Sequence, residues 1–513
     1  MEHQAITIDE HVEEGENLSN LKRKGKSLTS DASSSLTNEE EQNQQVQEIQ
    51  ALSNLNQEHD YQIPAPPEIQ IQSQEELELE ESALKNSLFL MERRLRERRQ
   101  LVKQGNGMTS SIFRLPSSLV EINPHASKPE LVSIGPYHRG KDHLLEFEEH
   151  KWHFLEKFLS RSSLFGKGLR HYFSRLKKEE GNVRDCYSEI IPMSSHDFIE
   201  MILLDGCFIL ELLRHLNHGV DTIEEDDPIF TRPWLIPVLV RDLLKLENQL
   251  PYFVLDLLYQ LSGSGSDLKE EIRPLPILAL RAFDLAFPRP MENFNRFLLY
   301  KGEHLLHLLY SSLVTSNSVT HCTDFEEYFP SDQSIQCVTQ LRQSGIKFKS
   351  RKGGDSFLDI NFQNRVLQIP SITINDFTST LLINCVALEK CQDKRLNYFT
   401  DYVSFMSCLI SKPRDVAFLC YDGIINRFSK DDKYVADLFT NLGQNADFNV
   451  RDCYLSKQFK EVESYYSSNW ATVRRTYFSS PWSFISLSSA IILLVLTMIQ
   501  SVMSVLSYKW SLV

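Results

Sequence analysis

The stretch FISLSSAIILLVLTMIQSVMSVL occupies residues 484–506, close to the end of the 513-residue chain. It runs from Phe484 through Leu494 to Leu506 without a charged side chain. As an α-helix it would be about 35 Å long, whereas the hydrocarbon core of a bilayer is about 30 Å thick. The sequence therefore predicts a single C-terminal transmembrane helix that binds membrane lipid. The alternative is a buried helix in a soluble core.

The residues around and within this stretch favour the membrane interpretation. Aromatic residues flank both ends, which is typical of the two interfaces of a bilayer: Tyr477, Phe478, Trp482, Tyr508 and Trp510. Gln500, Thr497 and several serines lower the hydropathy of the stretch. Such side chains can form hydrogen bonds within the helix or to a partner helix, so they are compatible with a membrane span.

The orientation of the helix is predicted from its flanks and from the start of the chain. Residues 1–81 are too polar to contain the apolar core of a secretory signal. Arg474 and Arg475 on the near side outweigh Lys509 on the far side, a positive-inside bias. The nine cysteines form no CxxC pair, as expected of reduced thiols. We therefore expect a tail-anchored protein in the plasma membrane or an endomembrane, with a cytosolic body.

The net charge of −15 comes entirely from residues 1–81. Up to Glu81 the chain has 19 acidic and 4 basic residues, and the remainder has 50 of each. Residues 1–74 are rich in Glu, Gln, Ser and Asn and are predicted to be disordered, because they cannot bury enough apolar area to offset the ordering entropy. The chain after Glu81 is neutral overall and has no basic field of the kind that nucleic-acid binding needs, so no nucleic-acid partner is expected.

A charged helix is predicted over residues 75–104, where acids come first and five arginines come last. Its apolar residues recur mostly at steps of three and four: Leu77, Leu84, Leu88, Met91 and Leu95. This pattern fits either a coiled coil with another helix or chain, or a solvated leader helix.

The body, residues 112–480, is predicted to be mainly α-helical. Helical periodicity covers 143–173, 198–216, 233–261, 276–287, 378–388, 402–410, 415–428, 431–442 and 459–477. Between about 345 and 375 the period changes to two, with a turn at Gly353 and Gly354. That change predicts a small antiparallel β meander, so the fold class is mainly α with a minor β part (α+β).

Two apolar helical stretches of the body carry polar groups. MILLDGCFILELLRHL at 201–216 places Asp205 and Gly206 among aliphatic residues. RDLLKLENQLPYFVLDLL at 241–258 places Glu247 and Asn248 before Pro251. A buried carboxylate or amide needs partners, so these residues belong either to a hydrogen-bond network in the structural core or to a functional site. The structural interpretation is favoured.

Three His-x-x-His pairs are the candidate metal ligands: His150/His153, His215/His218 and His304/His307. Each pair would share a helix face, but a third ligand at a recognisable spacing is missing. Cys207 lies in an apolar stretch typical of an inert thiol. No phosphate-binding loop, dinucleotide fingerprint or nucleophile elbow is found. The sequence therefore predicts neither a catalytic constellation nor a cofactor.

Several segments together resemble one family, the plant proteins built on the domain of unknown function 247. The resemblance covers essentially all of 112–510, and it is carried by VSIGPYHRG at 132–140, HKWHFLEKFL at 150–159, MILLDGCFILELL at 201–213, DLLKLENQLPYFVL at 242–255, SGIKFK at 344–349, LQIPSITINDFTSTLLINCVALE at 367–389, DVAFLCYDGIINR at 415–427 and YFSSPWSFISLSSAIILLVLTMIQSV at 477–502. It implies membrane association through the C-terminal helix and no assigned catalytic activity. Some members resemble male determinants of self-incompatibility in grasses.

We therefore expect a membrane-anchored plant protein that acts as a recognition or interaction scaffold, with self-incompatibility or signalling as candidate processes and an unidentified protein partner. The alternative is a membrane-tethered hydrolase or metal-dependent enzyme that uses Asp205, Glu247 or a histidine pair. The two can be distinguished by the surroundings of the two carboxylates. An open cavity favours the enzyme, and pairing with backbone amides in a closed core favours the scaffold.

Overall fold

Helices make up most of the described chain, which confirms the mainly α fold class with a few short strands. The structure is a computed structural model that describes residues 84–85, 87–89, 91–92, 110–163, 166–218, 229, 231–262, 273–288, 296–314, 335–351, 356–392, 397–428, 430–450, 452–478 and 481–510. The tail 1–74 and most of the leader 75–104 lie outside these residues. The described leader residues are helical, with Leu84, Leu88 and Met91 exposed. The described residues from Met91 onward belong to one compact unit.

The first half of the body packs around one long buried helix. Its helices are α1 (Ser117–Ile122), α2 (Leu145–Ser163), α3 (Leu169–Asp185), α4 (Ser195–His218), α5 (Leu235–Asp242), α6 (Tyr252–Leu261), α7 (Leu275–Asp284) and α8 (Leu305–Leu313). The central helix is α4, which contacts α2, α3, α6 and α7. Because neighbours surround it, nearly every side chain between Phe198 and Leu213 is buried.

The predicted helix 143–173 is interrupted between α2 and α3. Gly166, with φ of 68°, and Gly168 lie in this break, and a left-handed backbone favours glycine. The predicted helix 233–261 is likewise divided into α5 and α6. Asn248 and Gln249, which lie between them, donate side-chain hydrogen bonds to carbonyls at the end of α5 and just after it, so the helix ends there with its backbone groups paired.

The second half of the body contains α9 (Val338–Ser344), α10 (Asp376–Cys391), α11 (Tyr398–Leu409), α12 (Pro413–Tyr421), α13 (Asp432–Gln444), α14 (Ser456–Tyr466) and α15 (Asn469–Tyr477). Helix α10 is buried on all sides from Phe377 to Glu389. It begins at a capping box, in which the Asn375 side chain accepts from the Thr378 amide and the Thr378 hydroxyl accepts from the Asn375 amide.

The strands near 345–375 form a mixed sheet rather than the predicted antiparallel meander. The strands are β1 (Lys347–Arg351), β2 (Asn361–Gln363) and β3 (Val366–Pro370), in the order β1-β3-β2. β2 and β3 are antiparallel, and Asn364 and Arg365 turn between them with positive φ. The apolar β3, with Leu367 and Ile369 at 0% exposure, takes the buried central position between β1 and β2. β1 therefore pairs with β3 instead of β2, and this pairing is parallel. Gly353 and Gly354 lie outside the described residues.

A second sheet corrects the predicted helix 415–428. Helix α12 ends at Tyr421, and Gly423 follows with φ of 70°. The amide of Ile424 donates back to the Leu419 carbonyl at 2.9 Å, which satisfies the helix end. The chain then enters β5 (Ile425–Arg427), which pairs in parallel with β4 (Ile372–Ile374). The helical pattern in the sequence therefore extended past a glycine that ends the helix.

Candidate functional site

Residues 112–140, which we call the strap, run across the helices of the first half. The strap contains α1 and a short 3₁₀ turn at Pro124–Ala126, and the rest is irregular, as its prolines predict. At its start, Ile112 forms a bridge with Tyr187. Polar side chains from the helices and from the turn between α5 and α6 bind the strap along its length, and several of the residues singled out in the sequence are among them.

Asp205 binds the end of the strap to α2. One carboxylate oxygen accepts from the Gly135 amide at 2.8 Å, and the other accepts from Lys151 Nζ at 2.6 Å. Both side chains have 0% exposure, so the ion pair is closed to solvent. Burial raises the pKa of Asp205, and the positive charge of Lys151 opposes that shift.

Close packing explains two glycines beside Asp205. A Cβ on Gly206 would lie 2.4 Å from Leu258 Cδ1, so the Leu258 side chain would have to move from its present position between α4 and α6. A Cβ on Gly135 would lie 2.8 Å from the Gln249 carbonyl oxygen, and the φ of this residue is 71°. The position of Gly135, whose amide donates to Asp205, therefore favours glycine for two reasons: there is no room for a Cβ, and its φ is positive.

Glu247 binds the beginning of the strap. Its Oε1 accepts from the Leu115 amide at 2.9 Å, and its Oε2 lies 3.3 Å from Arg114 and 3.2 Å from His138 Nε2. Burial alone would raise the pKa of this carboxyl, but His138, the Leu115 amide and Arg114 together hold it below its ordinary value. Burial also lowers the pKa of His138, which favours the neutral imidazole.

Asn248 and Pro251 shape the turn that carries Glu247. The Asn248 Oδ1 accepts from the Ile134 amide at 2.7 Å, and its Nδ2 donates to the Val132 carbonyl at 3.1 Å. The same Nδ2 also donates to the Asp242 carbonyl. Pro251, with φ of −57°, immediately precedes α6. A single buried amide therefore satisfies backbone groups on both the strap and α5.

Two further strap contacts were missed in the sequence. Asp242 accepts from the amides of Glu130, Leu131 and Val132, and it pairs with the buried Lys245 at 2.8 Å. The available signal was RDLLK, an acid and a base three residues apart in an apolar stretch. Asn384 on α10 also donates to the Ala126 carbonyl at 2.9 Å. No local pattern marks that contact, because the partners are 258 residues apart.

These contacts place Asp205 and Glu247 against backbone amides rather than in an open cavity. Both oxygens of Asp205 have donors, and the side chain is closed to water. The Asp205 carboxylate therefore presents no exposed oxygen to a substrate. The geometry therefore favours the role in the structural core that the sequence suggested.

The histidine pairs are not assembled into a metal site within the described ranges. His304 has 0% exposure and caps the start of α8, where its Nδ1 accepts from the His307 amide at 3.1 Å. His215 Nδ1 lies 2.9 Å from the Glu211 carbonyl, and His150 packs edge-on against Phe147. Among the residues that the structure describes, no group of three or more His, Cys, Asp or Glu side chains could hold a metal ion.

The eight described cysteines form no disulfide with one another. Cys207 is fully buried in α4, and burial raises its pKa, so its thiol remains protonated. This environment fits the inert core thiol that the sequence indicated.

Glu389, at the end of α10, belongs to a second buried acidic group that the sequence did not reveal. It accepts from the amides of Phe399 and Thr400 at the start of α11 and from the Tyr310 hydroxyl at 2.7 Å. Asp401, one turn along, accepts from the Tyr454 amide at 3.0 Å. Burial raises the pKa of both carboxyls to about 7. Glu389 also lines a cleft of about 310 Å³.

The C-terminal helix, α16 (Pro481–Trp510), has the exposure expected of a membrane span. Its apolar segment Ile485–Ser507 has a mean hydropathy of 2.2 and is 0% buried. Leu494 at its middle is 57% exposed, and Leu506 is 46% exposed. Phe484 lies in the first turns of the helix. Because the body does not cover this segment, the buried-helix alternative is wrong for this chain, and the helix is long and apolar enough to cross a bilayer.

Three hydroxyl groups of α16 are paired within the helix. Thr497 donates to the Leu493 carbonyl at 2.8 Å, Ser501 to the Thr497 carbonyl and Ser504 to the Gln500 carbonyl, each at 2.9 Å. Unpaired hydroxyls would be costly in hydrocarbon. This pairing therefore reduces the cost of placing the polar residues of the helix in a membrane.

Two curated plant proteins match most of the chain. The UPF0481 protein At3g47200 of Arabidopsis thaliana is 34% identical over 433 residues, covering 80% of this chain and 89% of the relative. The putative UPF0481 protein At3g02645 of Arabidopsis thaliana is 22% identical over 483 residues, covering 77% of this chain and 90% of the relative. No solved structure matches the chain.

A family model described as "Plant protein of unknown function", DUF247, matches residues 112–496. The match begins with the strap, includes Asp205, Glu247 and Asn248, and ends within α16. The resemblance noted in the sequence is thereby confirmed over the body and most of the apolar helix. This chain belongs to the DUF247 family of plant proteins of unknown function.

Proposed function

We propose that this protein is an interaction scaffold anchored in a membrane by α16. The observation that carries the proposal is the uncovered segment Ile485–Ser507, which is 0% buried at a mean hydropathy of 2.2. An apolar surface of this length is unfavourable in water, and insertion into lipid removes it from water. The anchor would hold the helical body beside the bilayer, where its surface is available to a protein partner.

The proposed orientation places the body in the cytosol. Support comes from Arg474 and Arg475, which precede the apolar segment, because positive residues are retained on the cytosolic side. The membrane would be the plasma membrane or an endomembrane. The leader 75–104 and the acidic tail would act as arms that reach partners, with the leader able to pair in a coiled coil.

The process that the scaffold serves is proposed as signalling or self-incompatibility. Support for self-incompatibility comes only from the resemblance of some family members to male determinants in grasses. The contacts of Asp205 and Glu247 support a scaffold over a hydrolase, because these carboxylates accept hydrogen bonds from the backbone of the strap.

Protease protection tests the anchor and its orientation together. Full-length protein tagged at each end would be expressed in plant cells, and isolated membranes would be treated with protease. We expect the N-terminal tag to be digested in intact vesicles and the protein to resist carbonate extraction. Protection of the N-terminal tag would overturn the orientation, and complete extraction would overturn the anchor.

Proximity labelling tests the scaffold role. Partners of the full-length protein would be compared with those of a variant that lacks 484–506. We expect the anchored protein to recover a distinct set of membrane-associated partners. An identical set from the deletion variant would show that the anchor does not organise the interactions.

A second candidate is an enzyme with a reactive amine, and the arrangement of His138, Lys141 and Glu247 at the end of the strap favours it. His138 Nδ1 lies 2.6 Å from Lys141 Nζ, and His138 Nε2 lies 3.2 Å from Glu247, although the ring N–H is not aligned with that carboxylate. Burial lowers the pKa of Lys141, which favours a nucleophilic amine. Labelling with an amine-reactive ester at neutral pH tests it. Lys141 should react faster than the exposed Lys457, and equal rates would exclude an activated amine.

A further inference from the structure

The solvent face of α3 carries a row of hydrogen-bond donors. Five side chains at positions i, i+1, i+4, i+5 and i+8 line a cleft of about 480 Å³ together with Gly168: Arg170, His171, Ser174, Arg175 and Lys178. All five are exposed. The opposite face of the helix buries Tyr172, Leu176 and Val183, and α3 packs against α4 and α6. The packing of α3 therefore directs this row away from the protein.

The cleft is positive because Arg170, Arg175 and Lys178 line it and none of the carboxylates that the structure describes does. Among the described residues, Arg170 and Lys178 form no ion pair. Arg175 lies 3.6 Å from Glu179, a partly exposed neighbour that neutralises only part of the local charge. The chain after Glu81 has equal numbers of acidic and basic residues, so this cleft is a local concentration of positive charge.

The donor set fits a phosphate group. Guanidinium groups match the oxygens of phosphate with paired N–H donors, and the Lys178 ammonium adds a point charge. The Ser174 hydroxyl can donate a further hydrogen bond. A phosphate of this kind is carried by anionic lipids and by soluble phosphate esters.

We propose that the α3 cleft binds the phosphate of an anionic lipid headgroup in the membrane that α16 crosses. The proposal rests on the anchor of the proposed function. An anchored body stays within reach of the bilayer surface, which raises the effective concentration of headgroups at a basic cleft. Headgroup binding would restrict how the body is oriented and so determine which of its surfaces remain available to partners.

The test uses full-length protein in lipid nanodiscs of phosphatidylcholine alone or of phosphatidylcholine with phosphatidic acid. Ser174→Cys would be labelled with a soluble maleimide, and mass spectrometry of the α3 peptide would give the labelling rate. We expect slower labelling in the phosphatidic acid discs. Each cation removed should weaken headgroup binding about fivefold, so Arg170→Gln with Lys178→Gln should restore fast labelling.

Lys457→Gln with Lys460→Gln on α14 is the matched control, because it removes the same charge from another exposed surface. The control should keep the slow labelling of the phosphatidic acid discs. Equal rates in the two lipids would overturn headgroup binding while leaving the anchor intact. Equal protection by glycerol phosphate in phosphatidylcholine discs would assign the cleft to soluble esters instead. Failure to enter either disc would overturn the anchor and the proposal together.

Discussion

Replacing Asp205 with asparagine removes one charge from the core and almost nothing from its shape. In the folded protein the Gly135 amide donates a hydrogen bond to Asp205 at 2.8 Å. The side-chain oxygen of asparagine can still accept that hydrogen bond. Lys151, however, loses its buried partner at 2.6 Å and keeps Glu148 at 2.7 Å. The substitution therefore tests the ion pair apart from the hydrogen bond to the strap.

The expected loss follows from the burial of both partners. Removing one member of a buried ion pair costs about 3–5 kcal/mol, because the remaining charge stays in a poorly solvated site. Glu148 continues to neutralise Lys151, so we expect Asp205→Asn to lower the free energy of unfolding by about 3 kcal/mol. Adding Lys151→Met removes the uncompensated charge, and the double variant should lose less than the sum of the two single variants.

Urea unfolding of the full-length protein in nanodiscs, followed by tryptophan fluorescence, measures this loss. Glu156→Gln is the matched control, because Glu156 is exposed on α2 and its change should stay within about 0.5 kcal/mol. A loss below about 1 kcal/mol for Asp205→Asn would refute the structural role. Retained stability with altered partner binding would point instead to a functional site.

Three further predictions concern other parts of the chain. Gly206→Ala should destabilise the body by about 1–3 kcal/mol in the same urea assay, because its Cβ would meet Leu258 Cδ1 at 2.4 Å; an unchanged midpoint would contradict this packing. The pKa of Asp401 is raised from 3.8 to about 7, so the folded state retains a proton that the unfolded chain releases. The contribution of Asp401 to the free energy of unfolding should be greatest below pH 4 and fall toward pH 7 by about 1.4 kcal/mol per unit, and Asp401→Asn should remove this part of the pH dependence. Leu494→Arg should weaken insertion by about 3 kcal/mol, seen as carbonate-extractable protein, whereas Leu494→Ala should remain in the membrane fraction.

The helical pattern was predictable wherever one periodic stretch met a simple end. Helix α4 was predicted at 198–216 and occupies Ser195–His218. The predicted helix bounds were wrong at two kinds of helix end. Side-chain hydrogen bonds from Asn248 end α5, and Gly423, with its positive φ, follows the end of α12. Periodicity averages over many residues, so it does not detect an end that depends on one side chain.

The sheet was predictable in content but not in pairing. Alternation identified the strands near 345–375, because alternate side chains of a strand face opposite sides. Whether β1 pairs in parallel with β3 depends on which strand takes the buried centre, and this is a property of the packed body.

The sequence by itself determined the apolar helix α16, because the composition of 23 consecutive residues is enough to decide whether they can span a bilayer. It also identified Asp205, Glu247 and Asn248 as polar residues in apolar surroundings. Only the tertiary structure decided what they bind. Glu247 and its partner Leu115 are 132 residues apart in the sequence, and Asp205 and its partner Gly135 are 70 residues apart. A local pattern contains no record of a contact at that separation. The exposure of α16 and the solvent-facing cleft on α3 were decided in the same way, by which surfaces the body leaves uncovered.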